Sequence, residues 1–250
     1  MTDQPLISII TITYNASKVL EPTMLSIASQ TFKDFEHVIV DGASTDDTLA
    51  IARRQGTPNL RILSEPDNGL YDAMNKGLEM ARGRYVIFLN AGDTFHTPEV
   101  LGLYASAASE TDADIIYSDT DIVDVTRQRI GPRHLSAPEI LTFNSFSEGM
   151  LICHQAFMVR RSLAPTYNLS YRFSADYEWT LQCILRTTPK RCVNLHTVGI
   201  DYLSDGLTDN NHLKSLKERF DIMRRHYGLR TALLRHASFI PRAIGRKLKG

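Results

Sequence analysis

Residues 65–93 read EPDNGLYDAMNKGLEMARGRYVIFLNAGD, and their order decides the fold. Residues 70–81 read as a helix that Gly83 stops, because glycine readily takes the backbone conformation that ends a helix. Residues 85–89, YVIFL, form an uninterrupted apolar run, as in a strand covered on both faces. Polar Asn90-Ala91-Gly92-Asp93 follows at once. Helix, buried strand and polar turn in that order is the repeating unit of a parallel α/β sheet.

The same unit recurs on either side. Residues 6–13 are a nearly continuous apolar run rich in Ile, followed by helical spacing of Leu20, Met24 and Ile27 over 17–29. Pro22 fits that helix only near its first turn. Residues 35–40 give a second strand, the DGAS turn follows, and Ser44 or Thr45 is expected to cap a helix reaching residue 54. Residues 60–64 are a third strand, and 114–117 a fifth after the strand at 85–89. Thr97-Pro98-Glu99 is expected to open a helix, with Thr as cap and Pro in the first position. Five strand patterns separated by helices predict a doubly wound, mostly parallel sheet with helices on both faces. Ligands bind such sheets at the strand C-termini. Thr13-Tyr14-Asn15, Asp41-Gly42, residues 64–68 and residues 90–93 therefore line the expected site.

Residues 119–175 are less regular, with Pro132 and Pro138, and a short antiparallel strand is expected at 155–159. Residues 176–185 read as a helix, and 210–225 as another with Leu213, Leu216, Phe220 and Met223 on one face.

Bulk properties narrow the class. The chain has 250 residues, 43% of them hydrophobic, and a formal net charge of zero. That length suits one large α/β domain with a modest extension, and the balanced charge gives no reason to expect a nucleic-acid partner. The N-terminus reads as a buried strand, not a signal peptide. No run approaches the ~20 apolar residues of a membrane span. The three cysteines, Cys153, Cys183 and Cys192, form no CxxC pair, which suits free thiols in a reducing cytosol.

Several side chains at the expected edge can carry chemistry. Asp41, at a strand end, can accept from a nucleobase or ribose, and this reading is favoured over a turn role. Asp93 can hold Mg²⁺ or Mn²⁺ against a diphosphate, as hard cations prefer oxygen ligands, or can make an Asx turn; both readings stand open here. Asn68 and Lys76 sit in a polar loop and helix start, where Lys76 can counter phosphate charge or simply pair with Asp72 at i,i+4. Asp176, at a helix start, can act as a general base or as an N-terminal carboxylate. Trp179 can pack under a sugar, though core packing is the more usual use. A Cys153–His154 nucleophile pair is rejected, since adjacent strand side chains point to opposite faces. No GxGxxG follows the first strand, which argues against a dinucleotide-dependent oxidoreductase, and no Gly-rich loop there suggests a nucleotidyltransferase.

Taken together, ISIITITYN, VDGASTDDT, residues 65–93, HQAFMV, FSADYEW and DGLTDNN resemble the inverting family 2 glycosyltransferases of the GT-A fold. Residues 65–93 resemble most closely the branch that includes the colanic-acid transferases of the WcaE type. The resemblance runs in unbroken order over about residues 5–220, far more than one motif. It implies that Thr13, Tyr14, Asn15 and Asp41 hold base and ribose, that Asn68 and Lys76 face the nucleotide and its phosphates, and that Asn90, Gly92 and Asp93 stand where the family has its DxD motif. Asp93 would be the ligand of Mn²⁺ or Mg²⁺, Asp176 the catalytic base, and His154, Gln155 and Trp179 the acceptor side. Two departures stand out: one carboxylate where the family has two or three, and Asp205-Gly206-Leu207-Thr208 where the branch commonly has Gly-Gly-x-Ser. The implied reaction moves a sugar from a UDP- or GDP-linked donor to a hydroxyl of a glycan or lipid-linked acceptor, in exopolysaccharide, capsule or O-antigen assembly. The reduced DxD keeps a non-catalytic, sugar-nucleotide-binding scaffold as the alternative.

A catalytic domain is expected over 1–220 and a helical extension over 221–250. After Asp221 there is no acidic residue, while Arg224, Arg225, Arg230, Arg235, Arg242, Arg246, Lys247 and Lys249 alternate with apolar residues. This pattern fits an amphipathic helix on an anionic membrane surface, favoured over a solvated basic tail or a helix docked on a partner subunit, and so a peripheral protein on the inner face of the cytoplasmic membrane.

Overall fold

The structure, a computed structural model, describes residues 4–57, 59–204 and 212–237. The Asp205–Thr208 departure and the basic residues from 238 onward lie outside the described residues.

Three strands are buried along their whole length: β1 (Ile7–Thr13), β2 (Phe35–Asp41) and β4 (Tyr85–Phe88). With β3 (Leu60–Ser64) they form a parallel block in the order β3-β2-β1-β4. Helices α1 (Leu20–Ala28), α2 (Thr48–Arg54) and α3 (Leu70–Met80) connect these strands. A short β5 (Thr94–Phe95) and helix α4 (Val100–Thr111) follow. The sheet then continues through β6 (Ile115–Val123), its hairpin partner β7 (Arg129–Pro132), β8 (Phe157–Arg160) and β9 (Cys192–Leu203). Strand β8 lies between β4 and β6 and is antiparallel to both, as expected for the 155–159 region. The parallel block is therefore followed by an antiparallel insertion, and β6 and β9 run parallel to each other beyond it. The α/β class with a mostly parallel sheet is the architecture observed.

Local contacts shift two expected boundaries. Helix α2 begins at Thr48, not at Ser44 or Thr45, because those hydroxyls are engaged elsewhere: Ser44 donates to Asp41, and Thr45 to Asn15. Helix α4 begins at Val100, without Thr97 as its cap. Gln30 donates to the Thr97 carbonyl and accepts from Leu101 N–H, while Thr31 N–H donates to the Pro98 carbonyl. The Leu101 N–H of the first turn thus finds the Gln30 side-chain oxygen where a cap would otherwise serve. Pro22 sits in the first turn of α1.

Two glycines set how closely α3 and its following turn approach the sheet. A Cβ on Gly77 would lie 2.5 Å from Cγ2 of Ile10. A Cβ on Gly83 would lie 2.5 Å from the backbone nitrogen of Ser8. Helix α3 and β4 are thereby drawn onto β1, which fixes where residues 65–69 and 90–93 emerge.

Helix α5 (Ala175–Leu185) packs Trp179, Leu181 and Cys183 into the core. Helix α6 (His212–Tyr227) runs across the expected boundary at 220, burying Ile222 and Met223. Residues 229–237 are helical as well. They are tied to the body by His236 Nε2 at 3.2 Å from the Leu216 carbonyl, and by an ion pair of Arg235 with Glu148. The three cysteines are free thiols, and no helix among the described residues is long and apolar enough to cross a membrane.

Candidate active site

The parallel register brings Thr13, Asp41 and Ser64 into one row across the ends of β1, β2 and β3. Thr13 Oγ1 donates to Asp41 Oδ1 at 2.9 Å, and Ser64 Oγ to Oδ2 at 2.8 Å. Ser44 donates to Asp41 through both its N–H and its hydroxyl. Burial raises the Asp41 pKa, but these donors outweigh it and hold the carboxyl below the usual range. Asp41 is fully buried, so here its oxygens organise the loop after β2. Asn15 does similar work: its side-chain oxygen accepts from Thr45 N–H and its own N–H donates to Ser44 Oγ. Tyr14, by contrast, is 68% exposed. The Tyr14 ring and the Asp67 carboxylate both close on Gly42, where a Cβ would meet them at 3.3 and 2.5 Å.

The loop into α3 is internally braced. Asp67 accepts from Gly69 N–H, and Asp72 from Asn68 N–H at 2.9 Å. Lys76 pairs with Glu65 at 2.8 Å, sits 4.0 Å from Asp72, and donates to the Pro66 carbonyl. Its hydrogen bond to Glu65 holds the ammonium above its usual pKa. The cation therefore stands at the loop, neutralised by neighbouring acids.

The turn after β4 brings Asn90 and Asp93 together through Asp93 N–H to the Asn90 carbonyl at 3.0 Å, with Gly92 in the left-handed region. Asp93 is buried; Leu203 N–H donates to Oδ1 at 2.9 Å and Gln155 Nε2 to Oδ2 at 2.7 Å. Burial pushes its pKa up to about 7 against those two donors and the charge of Arg127. The Asn90 side-chain oxygen is buried without a hydrogen-bond partner. A buried acceptor without a donor calls for a ligand. An amide oxygen and a carboxylate are the kinds of donor that Mg²⁺ or Mn²⁺ takes, so these residues fit a divalent cation in kind, though each Asp93 oxygen would share the cation with the hydrogen bond from Leu203 or Gln155. Gln155 sits at Asp93, bridging the turn to the segment before β8.

Asp176 opens α5 and meets α3 directly. Its Oδ1 accepts from the Tyr71 hydroxyl at 3.2 Å and from Tyr177 N–H at 2.9 Å. No donor among the described residues contacts Oδ2. Behind this pair lies a ring stack: Tyr71 on Tyr167 at 5.5 Å, and Tyr167 on Trp179 at 5.1 Å and 8°. The Tyr167 backbone is locked to Asn75 by reciprocal hydrogen bonds. His154 is buried, its Nε2 2.5 Å from the Tyr167 hydroxyl, and burial lowers its pKa to about 4 against the charge of Asp176. Trp179 is 2% exposed and its indole N–H donates to the Pro165 carbonyl. Its ring faces protein, which is the core packing that the sequence also allowed.

Sequence reasoning missed Tyr71 and Tyr167, which join the two halves of the site. It also missed two features around Asp93. Arg127, in the β6–β7 turn, has a buried Nη1 without a hydrogen-bond partner, and burial lowers its pKa against the opposing charges of Asp93 and Asp201. His96, Asp121 and Asp201 bring potential ligand atoms within 4.8 Å of one another. That group is already paired internally, with Arg129 taking both oxygens of Asp121 and His96 Nδ1 2.7 Å from Asp201.

Polar strand ends on a parallel block, an oxygen-bearing turn after β4 and a carboxylate on α5 suit the edge of an α/β sheet that takes a ligand, and the chain belongs to glycosyl transferase family 2, whose domain it matches over residues 8–167. It is 37% identical over 226 residues to a PGL/p-HBAD biosynthesis glycosyltransferase of Mycobacterium bovis (strain BCG / Pasteur 1173P2), covering 85% of this chain and 84% of the relative. It is 31% identical over 167 residues to TuaG of Bacillus subtilis (strain 168), a putative teichuronic acid biosynthesis glycosyltransferase, covering 63% of each chain. Among solved structures, S. aureus TarS residues 1–349 in complex with UDP-GlcNAc superposes with a TM-score of 0.73 at 22% identity, covering 93% of this chain and 73% of TarS. The mannosyltransferase PcManGT of Pyrobaculum calidifontis, in complex with GDP-Man and Mn²⁺, gives 0.61 at 15% identity, covering 99% of this chain and 81% of that one. At these identities the two structures establish a shared fold.

Proposed function

We propose that this chain transfers a sugar from a UDP- or GDP-linked donor to a hydroxyl of a glycan or lipid-linked acceptor with inversion, in assembly of a bacterial surface polysaccharide. The observation that carries the reading is the meeting of Asp176 with Tyr71: it sets a carboxylate, with one oxygen free of donors among the described residues, against the first turn of α3, the helix that follows the loop of residues 65–69. In the transfer, Asp176 Oδ2 takes the proton of the acceptor hydroxyl. The freed oxygen attacks the anomeric carbon as the bond to the diphosphate oxygen breaks, and that oxygen leaves with the electron pair. One displacement from the opposite face inverts the centre.

Tyr14, Thr13 and Asn68 border the nucleotide, with Asp41 and Asn15 setting the loops that shape its pocket. Lys76 offsets phosphate charge by leaving Glu65. Asp93 and Asn90 would hold a divalent cation, which supplies positive charge to the departing diphosphate. Gln155 and the Leu203 N–H keep the Asp93 carboxylate oriented. His154, packed beside Tyr167, and Gln155 back the acceptor side. Residues 65–93 support a place in the colanic-acid branch, and relatives named for PGL/p-HBAD biosynthesis and for teichuronic acid biosynthesis support the assembly role.

We also place the C-terminal helix on an anionic membrane surface. Leu229, Leu233 and Leu234 are exposed along the 229–237 helix, as are Arg230 and, near the end of α6, Arg224 and Arg225, which pair with Asp221. This pairing of apolar and basic groups suits a lipid headgroup boundary.

The test is thermal shift with UDP, GDP and their sugar conjugates, with and without Mn²⁺. The expected result is a base-selective stabilisation that Mn²⁺ deepens. No shift with any nucleotide would contradict the reading.

A further inference from the structure

We propose that Tyr71 is a positioning residue for the base: it holds one oxygen of Asp176 so that the other is presented to the acceptor. The inference rests on the reading of Asp176 as the base, and goes beyond it by assigning a residue of the donor-side helix to the proton-transfer step.

Three observations carry it. First, the Asp176 carboxylate is divided. Oδ1 receives the Tyr71 hydroxyl at 3.2 Å and the Tyr177 N–H at 2.9 Å, while Oδ2 has no donor among the described residues. A carboxylate pinned at one oxygen cannot rotate freely about its last bond, so its open lone pairs keep one direction. Second, Tyr71 is itself fixed. It is 7% exposed, and its ring stacks on Tyr167, which stacks in turn on Trp179. Asn75, one turn further along α3, clamps the backbone of Tyr167. The hydroxyl therefore reaches Asp176 from a support with little freedom. Third, the hydroxyl stays a donor. Burial, followed by the charge of Asp176, raises the Tyr71 pKa well above its ordinary value. A phenol that keeps its proton beside a carboxylate donates to it.

The placement also links the two substrates. Tyr71 lies on the same helix as Lys76 and two residues after Gly69, at the mouth of the donor loop. Asp176 lies 105 positions later, on the helix that faces the acceptor. A shift of α3 when the donor seats would move the Tyr71 hydroxyl and with it the open oxygen of the base.

The experiment compares wild type, Tyr71→Phe, Asp176→Asn and the double variant. Release of nucleoside diphosphate is followed from a panel of UDP-GlcNAc, UDP-glucose and GDP-mannose, with melting temperature and nucleotide binding measured in parallel. The phenylalanine ring keeps the stack, so the fold and donor KM should be unchanged. Loss of one hydrogen bond to a charged group predicts a fall in kcat of about 10- to 100-fold. In the Asp176→Asn background the same change should cost nothing further, because Tyr71 acts only through that carboxylate. A Tyr71→Phe kcat within about twofold of wild type, a loss confined to donor KM, or losses that multiply in the double variant would each overturn the proposal. Wild type and Asp176→Asn turning over equally would instead overturn the assignment of the base on which it rests.

Discussion

Lowering the pH from 7 to 5 charges two histidines in the unfolded chain that stay neutral in the folded one. His37, in β2, is buried with its Nε2 3.0 Å from the Thr11 hydroxyl, and burial lowers its pKa to about 3. His154, in the ring stack behind Asp176, is lowered to about 4. A depressed folded pKa means that the unfolded chain binds the extra proton first. The stability these groups contribute is full above the ordinary histidine value near 6.5 and is lost as the pH falls toward their folded values. Integrated from pH 7 to pH 5, each removes about 2 kcal/mol. Asp93 acts in the opposite sense. Its folded pKa, about 7, lies above the unfolded carboxylate value of 3.8, so the folded state takes up a proton in the same window and gains about 2 kcal/mol. His226, also lowered by burial, adds to the loss. Wild type should therefore lose about 2 kcal/mol between pH 7 and pH 5, and Asp93→Asn, which lacks the compensating group, about 4 kcal/mol. Urea unfolding followed by Trp179, the single tryptophan and a buried one, measures both. An Asp93→Asn variant that loses no more than wild type would refute the reasoning.

Two further outcomes follow from packing and surface. Gly83→Ala drives a methyl onto the Ser8 backbone and should lower stability by about 1–3 kcal/mol; an unchanged urea midpoint would show that the turn can yield. Wild type should float with vesicles rich in anionic lipid, and a variant with Leu229, Leu233 and Leu234 all replaced by Ser should float markedly less; equal flotation would remove the membrane role.

The parts that sequence made legible are those where burial is complete on both faces. Strand β4 is an unbroken apolar run, β1 a nearly continuous one, and β2 is apolar over Val38–Val40; all three are buried along their whole length. Strand β9 went unread. Its sequence CVNLHTVGIDYL mixes polar and apolar residues, most of it is half-buried, and its pairing with β6 slips twice. The far end of β6 was missed for a related reason: Ser118, Thr120 and Asp121 are buried although polar. At the site, Asp41, Asp93 and Asp176 were visible because strand ends and helix starts mark them. What each carboxylate does locally was not visible. That Asp41 is enclosed by Thr13, Ser44 and Ser64 depends on register between strands. That Asp176 meets Tyr71 depends on a contact across 105 residues, and a tyrosine on a helix carries no signal of such a partner.

The central claim is that Asp176 serves as the base of a sugar transfer at this edge, and nucleoside diphosphate release by wild type and Asp176→Asn tests it most directly. With a donor that binds both proteins equally, the account predicts turnover by wild type and a loss of at least about 100-fold in the variant. Near-native turnover by Asp176→Asn with donor binding intact would contradict it.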